Sequence, residues 1–198
     1  MPSQELPLLT FRDADAFESW LADQPEPAAG AWLTFGKPGA PETTLSKSDA
    51  IDSALAYGWI DGQLGRVDEH YYKVRFTPRK ARSAWSQMNR ERVERLIADG
   101  RMKPAGLAEV ARGKADGRWE AAYPPQGRAT PDPDLVAALE AQPDARWFFD
   151  SLDAANRYAV LYRVHWAKGP DRRAAKIAEV VARLASGEAF HPRRKRHG

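Results

Sequence analysis

The chain has 198 residues, 43% hydrophobic and 29% charged, a balance that supports packed globular bodies and excludes a fibrous or low-complexity protein. No apolar run approaches the roughly 18 residues of a membrane span, and Met1–Thr10 lacks the basic and apolar blocks of a secretory signal, so the cytoplasm is the expected compartment. Cysteine is absent, which removes disulfides and thiolate catalysis, and the net charge of +3 conceals two basic blocks. One sets ten Lys/Arg between Lys73 and Lys103 against Glu91, Glu94 and Asp99; the other is Arg193-Arg194-Lys195-Arg196.

Taken in order, Asp13 caps a first helix to residue 22, with Phe17, Trp20 and Leu21 on one face. Ala31-Trp32-Leu33-Thr34-Phe35 reads as a strand. Ser46 or Ser48 caps a second helix with Ile51, Ala54 and Leu55 inward, which Gly58 stops by taking positive φ. Trp59–Leu64 and Tyr71–Phe76 read as antiparallel strands; in the second, Tyr72, Val74 and Phe76 alternate with Lys73 and Arg75. Pro78 ends that strand.

A helix over 86–99 follows, its core stripe Val93, Leu96 and Ile97, and another runs from Pro104 to Lys114. The Gly- and Pro-rich stretch 115–132 marks a boundary. Beyond it, the pattern is helical throughout. Short helices form around Leu135, Leu139, Trp147 and Phe148, and a longer one presents Tyr158, Leu161, Tyr162, His165 and Trp166. The last buries Ile177, Val180, Val181 and Leu184. The reading is an α+β fold: a small, mainly antiparallel sheet packed with helices over 1–123, a helical module over 124–187, and a basic disordered tail over 188–198.

Chemistry concentrates where the second hairpin strand gives way to a helix. Arg75, Arg79 and Arg82 stand there among Ser83, Trp85, Ser86 and Asn89. Guanidiniums match carboxylate and phosphate, and a helix start adds free N–H groups. Trp59 and Trp85 would wall the site, and Asp61 would orient an arginine. The structural alternative has the serines only capping a helix and the tryptophans only anchoring a core.

Three readings follow: a binder of a small phosphate- or carboxylate-bearing ligand; a nucleic-acid binder through the basic 73–103 face; an enzyme using Asp61 as base with Arg79 or Arg82. No cofactor fingerprint and no metal-ligand spacing is present.

An ordered series of motifs runs through the chain: Gly58-Trp59-Ile60-Asp61-Gly62, Arg75-Phe76-Thr77-Pro78-Arg79, Ser83-Ala84-Trp85-Ser86 with Asn89, Gly100-Arg101-Met102 with Ala105-Gly106, and Asp116-Gly117-Arg118-Trp119. Together with Ala167-Lys168 and Asp171-Arg172-Arg173 near the helical end, it resembles the YdeI/OmpD-associated (OmdA, bacteriocin-protection) family from about Phe11 to Gly187. Pro170-Asp171-Arg172 departs from the family's usage, where a Thr precedes the arginine. The resemblance implies an α+β body with a C-terminal helical module and a setting in envelope stress or antimicrobial-peptide tolerance. It implies no catalytic activity and no cofactor.

Overall fold

The period of two in the central strands sorts their side chains onto two faces, and the sheet is built on that sorting. A computed structural model describes residues 5–25 and 27–192. Its four strands are β1 (Leu8–Leu9), β2 (Ala31–Gly36), β3 (Trp59–Arg66) and β4 (Tyr71–Pro78), in the spatial order β1-β2-β4-β3. β4 pairs antiparallel with β3, as expected from sequence, and β2 pairs antiparallel with β4. The sheet is nevertheless mixed, because the two-residue β1 adds parallel to β2. So short a strand carries no period to read, and it forms because the β2 edge holds it, Trp32 N–H donating to Pro7 O at 2.8 Å.

Ala31, Leu33, Phe35, Val74 and Phe76 are buried on one face of the sheet. Phe17 and Leu21 of α1 (Ala14–Ala22) and Ala50 and Ala54 of α2 (Lys47–Ala56) cover them. Each buried large side chain contributes roughly 1.5–3 kcal/mol. Asp13 and Ser46 cap these helices as expected, accepting from Ala16 N–H and Asp49 N–H. Between Asp61 and Leu64 the β3–β4 register shifts by one extra residue, a bulge at Gly62-Gln63.

α3 (Gln87–Ala98) and α4 (Pro104–Ala115) lie behind α2. α3 buries Val93 and Leu96, while Ile97, expected inward, is exposed. The first turn of α4 abuts the end of α2: Lys103 N–H donates to Ala56 O at 3.0 Å. Gly106 permits that approach, since a Cβ there would sit 2.2 Å from Ala56 O.

Two units divide the chain, Met1–Ala122 and Tyr123–Gly198. The second is all helix apart from its loops: α5 (Pro133–Glu140), α6 (Pro143–Ser151), α7 (Ala154–His165) and α8 (Pro170–Ala185). Its core joins Leu135, Leu139, Phe148, Phe149, Val160, Val164, Val180 and Leu184. Two expectations shift here. Trp147 is 73% exposed, because Phe148 and Phe149 fill the inward positions of α6 instead. On α7 the core stripe is Val160, Leu161 and Val164, and the aromatic stripe packs elsewhere. Tyr162 and Trp166 meet Tyr123 edge-on, and the Tyr158 hydroxyl donates to Pro124 O at 3.0 Å.

Residues 188–192, assigned to the tail by sequence, dock on this unit. The Phe190 ring lies beneath the guanidiniums of Arg163 and Arg183, and His191 N–H donates to buried Asn156 Oδ1 at 2.7 Å. The basic block Arg193–Arg196 lies outside the described residues. Among the described residues no helix is long and apolar enough to cross a membrane.

Two outcomes are expected. Gly106→Ala forces α4 off α2 and lowers unfolding free energy by about 3 kcal/mol, the upper range for overpacking, whereas Gly127→Ala, with open space around it, leaves the denaturation midpoint unchanged. The second concerns Arg173, which bonds Asp132 and Asp134 together. Its guanidinium holds the Asp134 carboxyl below the ordinary range, against a smaller opposing effect of burial. A lowered folded-state pKa contributes stability that is present above the unfolded value and is lost as pH falls through the folded one. Amide-exchange protection of α8 should therefore exceed that of Asp134→Asn at neutral pH, with the difference vanishing well below about pH 4.

Candidate functional site

Strand β4 ends at Pro78, and the next residue turns inward. Arg79 N–H donates to Gly58 O at 3.0 Å, which continues the pairing one step past the strand. The Arg79 side chain is 5% exposed and lies flat on the Trp85 ring, its guanidinium carbon 3.5 Å from the ring centroid. Its Nη1 donates to Ala84 O at 3.1 Å. A buried guanidinium is costly unless its charge is met, and an aromatic face together with a carbonyl meets part of it.

Trp85 in turn contacts Trp119 edge-on at 4.9 Å, and Arg90 and Lys114 lie over Trp119 at 5.2 and 5.3 Å. Cation, indole, indole and cation thus follow one another through the unit. Gly113 of α4 leaves room for the Trp85 indole, whose Nε1 would lie 2.5 Å from any Cβ added there. The turn 80–84 is held by local bonds: Ser83 Oγ accepts from Lys80 N–H at 2.9 Å, and Arg118 Nη1 donates to Ser83 O at 2.7 Å. Ser86 caps α3 by accepting from Asn89 N–H at 3.1 Å.

A cleft of about 900 Å³ opens beside Arg79. The end of α1 and the loop after it supply Leu21, Ala22, Gln24, Pro25, Pro27 and Ala28; the sheet supplies Trp59 and Pro78. Charge comes from Arg79, and from Lys103, Glu109 and Arg112 on and before α4. Glu109 is buried and pairs with Arg112 Nη2 at 3.0 Å through Oε1; its Oε2 is enclosed with no hydrogen-bond partner. Lys103 lies 5.7 Å from the Tyr57 ring centroid and makes no ion pair among the described residues. Burial, and then the charge of Glu18, push the Tyr57 hydroxyl above its ordinary range, so it remains a neutral donor at physiological pH.

Of the residues singled out from sequence, Trp59 and Arg79 line this cleft, and Trp85 backs Arg79. Ser83, Ser86 and Asn89 make the turn and cap, the plainer of the two roles considered. Arg75 leaves the opposite side of β4 from Val74 and Phe76; Lys73 Nζ stands 4.8 Å over Trp32, the residue paired with Arg75. Asp61 is paired with Phe76 and therefore shares its face, not that of Arg75. Arg82 is exposed in the turn. The arginines consequently occupy three surfaces. Sequence reading missed Tyr57, Lys103, Glu109 and Arg112; Glu109 and Arg112 at i, i+3 share a helix face, yet nothing local says that this face borders a cleft. Among the described residues no cluster of three or more His, Asp or Glu could hold a metal.

The fold and cleft define an α+β body with a cationic, part-apolar cavity, followed by a helical unit. Residues 9–109 match the family model of a domain of unknown function (DUF8412), and residues 128–187 match that of the bacteriocin-protection, YdeI or OmpD-associated family (OmdA). The chain belongs to the DUF8412 family, with a C-terminal module of the YdeI/OmpD-associated type. Comparison with curated proteins and with solved structures gives no match. The motifs at 58–62, 75–79 and 83–89 thus lie within the first match and not within the second.

Arg118→Ala tests the support of this site. Removing its bonds to Ser83 O and Asp116 should cost about 1.5–3 kcal/mol in denaturant unfolding, and the Trp85 fluorescence environment should change before global unfolding.

Proposed function

We propose that the first unit binds a small anionic ligand bearing a carboxylate or phosphate in the cleft beside Arg79. The observation that carries this reading is the surplus of positive charge in one concave wall: among the described residues Arg79, Lys103 and Arg112 stand against Glu109. A planar guanidinium presents paired donors suited to carboxylate and phosphate oxygens, and Lys103 and the Tyr57 hydroxyl add two more donors. Trp59 and Pro78 supply the apolar contact that desolvates such an ion pair. The ligand would enter a wall already held in place by Trp85, so little ordering is lost on binding. The bacteriocin-protection description of the C-terminal match is the support for reading this binding as part of stress or antimicrobial-peptide tolerance.

A second reading rests on a different surface. Lys73 and Arg75 flank Trp32 on one sheet face, a pairing of cations with an aromatic ring that single-stranded nucleic acid uses. The exposed Lys80 and Arg82 add charge beyond it. Asp61 lies outside the cleft wall and receives no role.

Thermal denaturation with a panel of small carboxylates, phosphates and nucleotides separates the two. Carboxylates or phosphates are expected to raise the melting temperature of the wild type and to lose that effect in Lys103→Met and Arg79→Met. A panel that leaves the wild-type midpoint unmoved overturns the cleft reading. Salt-sensitive oligonucleotide binding, abolished by Lys73→Met with Arg75→Met and untouched by Lys103→Met, would favour the sheet face instead.

A further inference from the structure

The outer face of the sheet offers a ligand something more specific than charge. We propose, resting on the sheet-face reading above and independently of the cleft, that this face holds single-stranded nucleic acid by stacking one unpaired base on Trp32, with Lys73 and Arg75 taking the neighbouring phosphates.

The register puts the parts side by side. Leu8 pairs with Trp32 and Trp32 with Arg75, so these three side chains form one row across β1, β2 and β4 on the same face. Lys73 lies two residues from Arg75 on β4, opposite Thr34 on one side and Gly65 on the other, and Thr77 stands opposite Ile60. None of these neighbours is acidic, and each keeps part of its surface in water, whereas α1 and α2 cover the Val74 and Phe76 side. Arg75 Nε is enclosed without a hydrogen-bond partner, and among the described residues neither Arg75 nor Lys73 forms an ion pair. Two unanswered cations on either side of a row that carries an indole call for an anionic partner with a flat face.

Trp32 separates a nucleic acid from a plain polyanion here. Lys73 Nζ stands 4.8 Å from the centroid of its ring, so the ring is covered on that side by a flexible stem that can vacate it. The stem lies along Gly65, where an added Cβ would come within 3.2 Å of Lys73 Cε, and glycine raises no wall beside it. A cation over an exposed ring is held more weakly than a base stacked on one, so a base displaces the ammonium and the ammonium passes to a phosphate. A duplex keeps its bases paired within its own stack and presents none to the ring; an acidic peptide brings carboxylates and no base.

Fluorescence anisotropy with the full chain at low salt tests the proposal. The probe is a labelled oligothymidylate of about 12 nucleotides, a length within the usual footprint of single-strand sites. Its comparisons are an abasic strand with the same phosphates, a duplex of the same length, and polyglutamate. The oligothymidylate should bind about tenfold more tightly than the abasic strand, and Trp32→Leu should remove that preference while leaving the abasic strand unchanged. Each phosphate contact on a single strand adds about 0.7 to the slope of log affinity against log salt, so Lys73→Met should lower that slope by about 0.7. An abasic strand bound as tightly as the oligothymidylate overturns stacking, while charge-driven binding on the face still stands. A duplex or polyglutamate bound as tightly overturns the choice of a single strand. If no strand binds, the sheet-face reading itself falls. The wild-type comparison decides stacking even if Trp32→Leu fails to fold, and an unchanged preference in the folded variant overturns the assignment to Trp32.

Discussion

The guanidinium of Arg79 lying on the Trp85 ring at 3.5 Å fixes where four segments of the first unit meet. Arg79 arrives from the end of β4 and is tied through its N–H to Gly58, the residue that turns α2 into β3. Trp85 sits one residue before the cap of α3 and presses on α4 at Gly113, where only a hydrogen leaves space. Moving any one of these segments separates a buried cation from the face that compensates it. The cost of such a charge left unmet is large compared with the few kcal/mol by which a domain is stable, so the arrangement is held as a unit. One consequence reaches function: the cationic wall of the cleft is pre-positioned by packing.

The same geometry explains why a dense cluster of arginines in sequence is not a cluster in space. A strand sends neighbours to opposite faces, so Arg75 parts company with Phe76 and with everything that Phe76 faces, Asp61 included. A proline then ends the ladder, and the chain beyond it is a turn in which Lys80 and Arg82 point to water while Arg79 alone is taken inside. Charge density along a chain becomes charge density on a surface only when the local period keeps the residues on one side. Here a strand, a turn and a helix start succeed one another within 12 residues, from Arg75 to Ser86, and each imposes its own direction.

Most of the secondary structure was legible because it rests on local chemistry. The caps at Asp13, Ser46, Ser86 and Asp153 each accept the hydrogen bond that their residue type favours, and the β3–β4 pairing follows from alternation and a short link. What stayed hidden depends on neighbours distant in sequence. β1 exists only because the β2 edge accepts it. α7 carries two apolar stripes, and nothing within it says that the aliphatic one faces the core while the aromatic one meets Tyr123 and Pro124. The candidate site divides likewise. Trp59 and Arg79 announce themselves by type and context, whereas Lys103, Glu109 and Arg112 become cleft residues only through the close seating of α4 at Gly106.

The cleft formed by that seating lies almost wholly within one of the two family matches. Every cleft residue except Arg112 falls within 9–109, the span of the first family match, and none falls within 128–187. The second unit meets several of its cations with its own acids. Arg146 pairs with Asp150, Arg183 with Glu188, and Arg173 bridges Asp132 and Asp134, so these charges are answered within the unit and serve its packing. Arg173 forms one end of a smaller apolar groove with Ile177 and Val181, but the two aspartates already saturate its fork, which leaves no cationic surplus there for an anion. In the first unit Lys103 faces an aromatic ring rather than a carboxylate, and Arg79 is stacked on another. Acids and rings compensate cations in both units: Arg92 pairs with Asp52 in the first, and Arg163 lies over Phe190 in the second.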